Sequence, residues 1–245
     1  MKITLLDTET AILGRSVLQL SDWESIDEFI LEEEELILKY NPYYIYCLIN
    51  AIDLKSIHKL ESLGYYFTEF RIFSQLNLNE VEVSTKSLYP YKSEILGTEE
   101  LLMEAQEMML KSLSDDRFSV DPAIGSEFSR KRLIFNLNKS YNSFPSEFVL
   151  GLFNSQSDEF VAFRSGGIIN KQEAFYYMYG ISANHNYPNI AGILDAFSIE
   201  FLKGRNIKIV HSVSTGFNIQ ELNRLILVNG FKITSTKVLL RKILE

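Results

Sequence analysis

Residues 207–243 read IKIVHSVSTGFNIQELNRLILVNGFKITSTKVLLRKI. Ile207–Ser214 is strand-like, short and rich in Ile and Val. Over Ile219–Val228, the apolar residues Ile219, Leu222, Leu225 and Ile226 share one helical face. Gly230 stops that helix, since glycine tolerates a left-handed cap, and Thr234–Ile243 reads as a second strand. The same order stands near the other end of the chain. Tyr43–Asn50 (YYIYCLIN) is a buried-type strand and Asp53–Leu63 a helix with Ile57, Leu60 and Leu63 on one face. Gly64 stops it, and Tyr66–Leu76 is a strand. Placing Gly64 against Gly230 aligns the two strand–helix–Gly–strand units as a weak internal repeat.

Working outward from these units, Ile26–Lys39 is helical, and its Glu32–Glu35 run reads as a solvated face. Asn77–Gly97 is polar, broken by Pro90, and leads into the first strand of a second part. Thr98 caps a helix over Thr98–Leu113 whose apolar face is Leu101, Leu102, Ala105 and Met109. Asp121-Pro122 reads as a helix start. Three strands follow Pro145: Phe148–Phe153, Phe160–Ile169 and Ala174–Ala183, separated by turn-rich segments as in an antiparallel meander. Ile190–Lys203 is strongly amphipathic. The second part therefore runs β-α-α-β-β-β-α-β-α-β. The expected fold is α/β: a mixed, mostly antiparallel twisted sheet flanked by helices. It is expected to divide into a smaller α/β N-terminal domain (1–88) and a second domain (89–245).

The 245 residues carry a net charge of −8, with 46% apolar and 23% charged residues. An acidic chain of this kind argues against non-specific nucleic-acid binding. Cys47 is the lone cysteine, and His58, His185 and His211 are scattered, so no disulfide framework and no metal-ligand spacing emerges. The first residues lack a signal-peptide core, and no apolar run approaches the ~18 residues of a membrane span. A soluble, cytoplasmic protein with no metal and no membrane is expected.

Three segments resemble the GNAT superfamily of acetyl-CoA-dependent N-acetyltransferases. Asn184–Leu194 (NHNYPNIAGIL) joins a strand to the amphipathic helix where that family has an Arg/Gln-x-x-Gly-x-Gly/Ala loop for the CoA pyrophosphate. Gly192 matches; Asn189 stands for the Arg/Gln and Leu194 for the small residue. Val213–Phe231 is similar to the family's strand, Asn, helix and Gly-Phe, with Asn218 and Gly230-Phe231 matching. Ile226 occupies the position of the usual proton-donating tyrosine. Asp116–Pro122 (DRFSVDP) resembles a segment of the dTDP-fucosamine acetyltransferases of bacterial surface polysaccharide synthesis, which also carry an N-terminal domain. The N-terminal domain then reads as a degenerate GNAT half.

The resemblance implies an N-acetyltransferase with acetyl-CoA as co-substrate and a small-molecule amine as acceptor, foremost a dTDP-amino sugar. It leaves a homodimer open. It implies cofactor contacts at Ile181, Ser182 and Ala183, whose backbone N–H groups would polarise the thioester carbonyl. Further contacts are expected at Asn189, Ile190, Ala191, Gly192, Ile193, Leu194 and Asn218, and substrate contacts at Arg117 and Phe118. His185 and Tyr179 are the candidate acid–base residues, with Tyr176 and Tyr177 on the same strand; sheet packing is the plainer role for each tyrosine. His211 reads as a buried histidine, and Arg130, Lys131 and Arg132 as either an anion patch or a solvated face. The changes at Leu194 and Ile226 leave two alternatives: a GNAT-fold enzyme with a different donor or acceptor, and a non-catalytic GNAT-fold binding or assembly module.

Overall fold

The computed structural model describes residues 1–86, 88–111, 117–183 and 189–244, with only the backbone of residue 117. Ten strands form one sheet: β1 (Lys2–Leu5), β2 (Val17–Ser21), β3 (Tyr44–Asn50), β4 (Tyr66–Asn77), β5 (Tyr91–Ile95), β6 (Glu147–Asn154), β7 (Phe160–Ile168), β8 (Glu173–Ile181), β9 (Ile209–Thr215) and β10 (Lys232–Ile243). The helices are α1 (Asp7–Leu13), α2 (Ile26–Tyr40), α3 (Leu54–Ser62), α4 (Glu99–Lys111), α5 (Arg117–Val120), α6 (Ser126–Asn142), α7 (Ile190–Lys203) and α8 (Ile219–Asn223). The mixed, mostly antiparallel sheet is as expected. Sequence reading missed β1, α1 and β2, which are too short to show a period.

The spatial order is β1-β2-β3-β10-β4-β9-β8-β7-β6-β5. It holds a reciprocal exchange. The β10 strand lies between β3 and β4, and β4 lies between β10 and β9. Each repeat unit thus lends its second strand to the other, across the expected boundary near residue 88. The register makes the symmetry explicit. Gly64 over Gly230 equates Tyr66 with Lys232 and Gln75 with Arg241; the ladder pairs Tyr66 with Arg241 and Gln75 with Lys232. Each strand carries one bulge in this ladder. At them, Thr68 Oγ1 donates to the Leu239 carbonyl (2.9 Å) and Thr234 Oγ1 to the Phe73 carbonyl (3.2 Å). The helix caps match too. Asp53 accepts from the Ser56 N–H (3.1 Å), and Asn218 from the Glu221 N–H (3.0 Å).

The units differ by one residue between helix and glycine. The first unit goes from Leu60 to Tyr65 in a single hydrogen-bonded step, Tyr65 N–H to Leu60 O, and the second from Leu225 to Phe231. The extra residue is taken up as a π turn over Arg224–Val228 directly after α8, where the Asn229 N–H reaches Arg224 O.

Two apolar cores lie under the first half and the second. Leu18, Phe29, Ile45, Leu60 and Leu240 pack between α2, α3 and the sheet. Phe148, Ala174, Leu202, Val210 and Phe231 pack together with Ile199 of α7 and Leu225 of the π turn. Helices α4 and α6 cover the opposite face through Leu102, Ala105, Met109 and Leu137. The Glu32–Glu35 run is not wholly a solvated face: Glu33 is buried and accepts from Tyr65 Oη (2.8 Å) and Lys242 Nζ (2.9 Å). Its partners lie far off in sequence, so no local pattern marks it. Asp121-Pro122 does not begin a helix either. Asp121 follows α5, is buried, and holds Arg241 of β10 in a two-pronged pair (2.8 and 3.0 Å).

Candidate functional site

Strands β8 and β9 run parallel and pair only from Glu173↔Ile209 to Tyr176↔Ser212. Beyond Tyr176 they part, while β8 stays laddered to β7 as far as Ile181. The parting opens a gap in the middle of the sheet. Ser182 donates its N–H to Val161 O on β7 (2.8 Å). Strand alternation therefore turns the N–H of Ile181 the other way, towards the gap. The Ser182 N–H, by contrast, is spent in the ladder.

A cavity of about 730 Å³ reaches this gap. Its walls come from α6 (Arg132, Asn136, Lys139), from β4 (Glu69, Arg71) and from β8 and β9. Tyr179 and Asn218 both line it. The expected cofactor segment 181–183 and 189–194 does not. The side chains of Ile190 and Leu194 are buried among Leu152, Val161, Ala162 and Phe197, which corrects Leu194 as a ligand contact and leaves Ile190 only its backbone N–H for one. Burying a leucine contributes about 2 kcal/mol, so a large residue at 194 stabilises α7 where the family pattern has a small one. Asn189 precedes α7 in the left-handed region (φ 92°) and its side chain makes no cap. Ile193 N–H bonds to Asn189 O (3.0 Å), leaving the N–H groups of Ile190, Ala191 and Gly192 without intrahelical acceptors. A Cβ on Gly192 would lie 2.3 Å from Asn189 Oδ1, so glycine is what lets that amide lie there. His185 lies outside the described residues, as does the Arg117 side chain.

Phe118 is also corrected. It is 1% exposed, packed edge-on to Phe128 (4.8 Å) and against Tyr44 (5.9 Å), with the Arg132 guanidinium over its ring. It fixes α5 to the first half of the sheet rather than touching a ligand. Arg132 pairs with Glu9 (2.7 Å) and Lys131 with Glu127 (2.8 Å), so this basic cluster is largely neutralised. His211 is only half-buried and faces Glu173 at 3.5 Å, not the core.

Sequence reading missed the polar cluster beside the gap. Asp195 of α7 is 1% exposed. It accepts from Arg164 of β7, from Arg224 in the π turn and from Asn229 Nδ2 (2.5 Å). Arg164 lies over the rings of Tyr176 (4.5 Å) and Tyr179 (5.2 Å), and Arg224 over Tyr179 (4.8 Å). Arg224 is the counterpart of Lys59 in the first unit, which is exposed. The π turn coincides with the inward course of Arg224. Burial, then repulsion from Arg164, lowers the Arg224 pKa from 12.5 to about 10. Burial raises Tyr176 to about 12, against the pull of both arginines. Four buried side-chain atoms lack a hydrogen-bond partner among the described residues: Arg164 Nε, Arg224 Nη2, Tyr176 Oη and Ser214 Oγ. They belong to strands β7, β8 and β9 and the π turn that flank the gap. Burying such atoms unpaired costs about 1–3 kcal/mol each, so their clustering marks a place prepared for something polar. The signal in sequence was faint: two arginines and an aspartate on an apolar helix face, each in a separate element.

Among the described residues no cluster of His, Cys, Asp and Glu could hold a metal ion, and no helix is long and apolar enough to cross a membrane.

No protein-family model matches the chain, and no curated protein matches it in sequence. Solved structures do match. A functionally unknown conserved protein from Staphylococcus epidermidis is 12% identical, with a TM-score of 0.66 over 93% of this chain and 84% of that one. A GCN5-related N-acetyltransferase from Sphaerobacter thermophilus is 14% identical, with a TM-score of 0.64 over 98% and 76%. A tandem GNAT protein from the clavulanic acid biosynthesis pathway is 11% identical, with a TM-score of 0.61 over 94% and 76%. These likenesses leave chemistry aside and settle the architecture: the chain has the fold of the GCN5-related N-acetyltransferases, also called the GNAT fold.

Proposed function

We propose that this chain is an N-acyltransferase that uses an acyl-CoA thioester and a small amine-bearing acceptor, with the β8–β9 gap as its reaction centre. One observation carries the reading. In a GNAT fold, the two strands part beyond Tyr176 and leave the N–H of Ile181 turned outward towards the gap. The thioester supplies the activated acyl group. The Ile181 N–H is placed to polarise its carbonyl oxygen. The acceptor enters from the cavity under α6 and attacks as the neutral amine. The carbon–sulfur bond breaks as the carbon–nitrogen bond forms, and the amine gives up a proton to water in the cavity. The departing CoA thiolate takes its proton from water in the cavity, because Ile226 cannot supply one. The N–H groups of Ile190, Ala191 and Gly192 suit a diphosphate.

A dTDP-amino sugar is not retained as the acceptor, because Phe118 is committed to packing and Asp121 to Arg241. The Asp195–Arg224 and Asp195–Asn229 bonds, which tie α7 to the turn after α8, favour a second reading: a binding module without chemistry. Thermal shift with saturating acetyl-CoA, against ATP as an anion control, separates them. At 100 times Kd, binding stabilises by ~2.7 kcal/mol, or roughly 5–10 °C in a chain this size. A shift with acetyl-CoA alone, with thiol release on adding amines, supports the enzyme. No shift at millimolar acetyl-CoA supports the module.

A further inference from the structure

The cluster around Asp195 holds the buried guanidinium of Arg164, the partly buried one of Arg224 and one buried carboxylate. Asp195 already accepts from Arg164, Arg224 and Asn229. Further N–H groups on both arginines remain unspent: Arg164 Nε and Arg224 Nη2. Arg164 itself is 2% exposed, so no bulk water serves it. Tyr176 Oη and Ser214 Oγ, also buried and unpartnered, add two neutral donors. Arg164, Tyr176 and Ser214 line the cavity. Glu221 lies at the cavity wall nearby, where its charge favours Arg164, but its oxygen is also engaged by Asn218 Nδ2 (3.3 Å). Four unused donors on elements gathered about one gap, two of them cationic, call for a group that only accepts. A carboxylate has about four lone-pair sites and takes planar, two-pronged bonds from guanidinium. A hydroxyl or amide would bring donors of its own and leave some of these groups unmet.

We propose that this spot is a carboxylate pocket, so that one of the two substrates of the reaction proposed above carries a carboxylate held by Arg164, Arg224, Tyr176 and Ser214. The inference rests on that reaction for its place in the chemistry, and on the unspent donors for the pocket itself. The carboxylate has two sources. It ends the acyl chain, as in succinyl-CoA, or it belongs to the acceptor, as in an amino acid.

The test begins without CoA. Thermal shift is measured with succinate and glutamate against succinamide and glutaminamide, neither of which carries a carboxylate. Carboxylates are expected to raise the midpoint and the amides not, with the difference abolished in Arg224→Leu. Arg224→Lys, which keeps the charge but loses the planar fork, should retain only part of it. Binding of succinyl-CoA and acetyl-CoA is then compared. At least tenfold tighter binding of succinyl-CoA assigns the carboxylate to the acyl chain. Equal thioester binding, with glutamate preferred to glutaminamide as acceptor, assigns it to the acceptor. Carboxylate binding with no thioester binding keeps the pocket and removes the acyltransfer reading. Equal response to carboxylates and amides in the native protein overturns the pocket, whatever the variants do and whether or not acetyl-CoA binds.

Discussion

Each half of the sheet buries one acidic residue from the long helix that crosses it: Glu33 on α2 and Asp195 on α7. Around Glu33 the account is closed. Tyr65 and Lys242 both donate to it, the Lys242 ammonium lies over the Tyr65 ring (5.3 Å), and none of the three has a buried unpaired side-chain atom among the described residues. Around Asp195, three neighbours donate and four polar atoms nearby remain unpaired. The strands differ in step with this. The β2–β3 pair is parallel, like β8–β9, and each has four paired positions. But β2 ends at Ser21, one residue past its last pair, whereas β8 runs on from Tyr177 to Ile181. One half spends its polar groups on itself; the other keeps them beside an opening.

The largest expected effect is at Asp195. Asp195→Ala takes from the buried Arg164 and the partly buried Arg224 the carboxylate that pairs them both, and should cost about 3–5 kcal/mol in urea unfolding. Glu33→Gln should cost less, about 1–3 kcal/mol, because the partly exposed Lys242 can reach water. Equal losses would erase the contrast. The tyrosines sharpen it further. Tyr65→Phe gives up a bond to a charged group and should lose about 1.5–3 kcal/mol. Tyr176→Phe gives up no bond, so stability should stay within ~0.5 kcal/mol or rise, while succinate binding weakens about tenfold. A clear loss of stability in Tyr176→Phe would show a structural partner.

Alkaline titration reads both clusters at once. Burial raises the Cys47 thiol and the Tyr65 phenol, and Tyr176 to about 12. Above about pH 9 the unfolded chain loses these protons first, the folded chain holds more, and stability falls. Arg224 works the other way. From about pH 10 the folded chain gives up its proton while the unfolded chain keeps it to 12.5, which raises stability. Burial also raises Tyr177 and lowers Arg164, so four groups against two predict a net decline between about pH 9 and 12, shallower in Tyr65→Phe. The smallest effect concerns the symmetric bulges. Thr68→Val and Thr234→Val should each cost about 0.5–1.5 kcal/mol. On β4 the two bonded positions lie about 17 Å apart, so the losses should add.

The repeat was legible because Gly64 and Gly230 punctuate two matched patterns, and the meander after Pro145 because turn residues bracket it. The exchange of β4 and β10 was not, since periodicity says which residues form strands and nothing of their neighbours. Tyr179 and Asn218 were found through local motifs and do line the cavity. Asp195, Arg164 and Arg224 were not, because their partnership spans α7, β7 and a π turn, and a buried ion pair leaves no spacing. Leu194 misled through its alignment: an anion-loop position turned out to be a core position.

The exchanged strands also govern how the chain is made. Tyr44 has one sheet neighbour at Val17 and finds the other only at Ile243. Until the ribosome has passed that residue, β3 and β4 have a space between them and the first core lacks Val238 and Leu240. The first half therefore waits, with an open seam, for the rest to be synthesised. Pairings this distant fold slowly and expose unpaired edges meanwhile. A ribosome stalled ahead of β10 would hold two unfinished halves rather than one finished domain, and such a nascent chain should be a strong chaperone client.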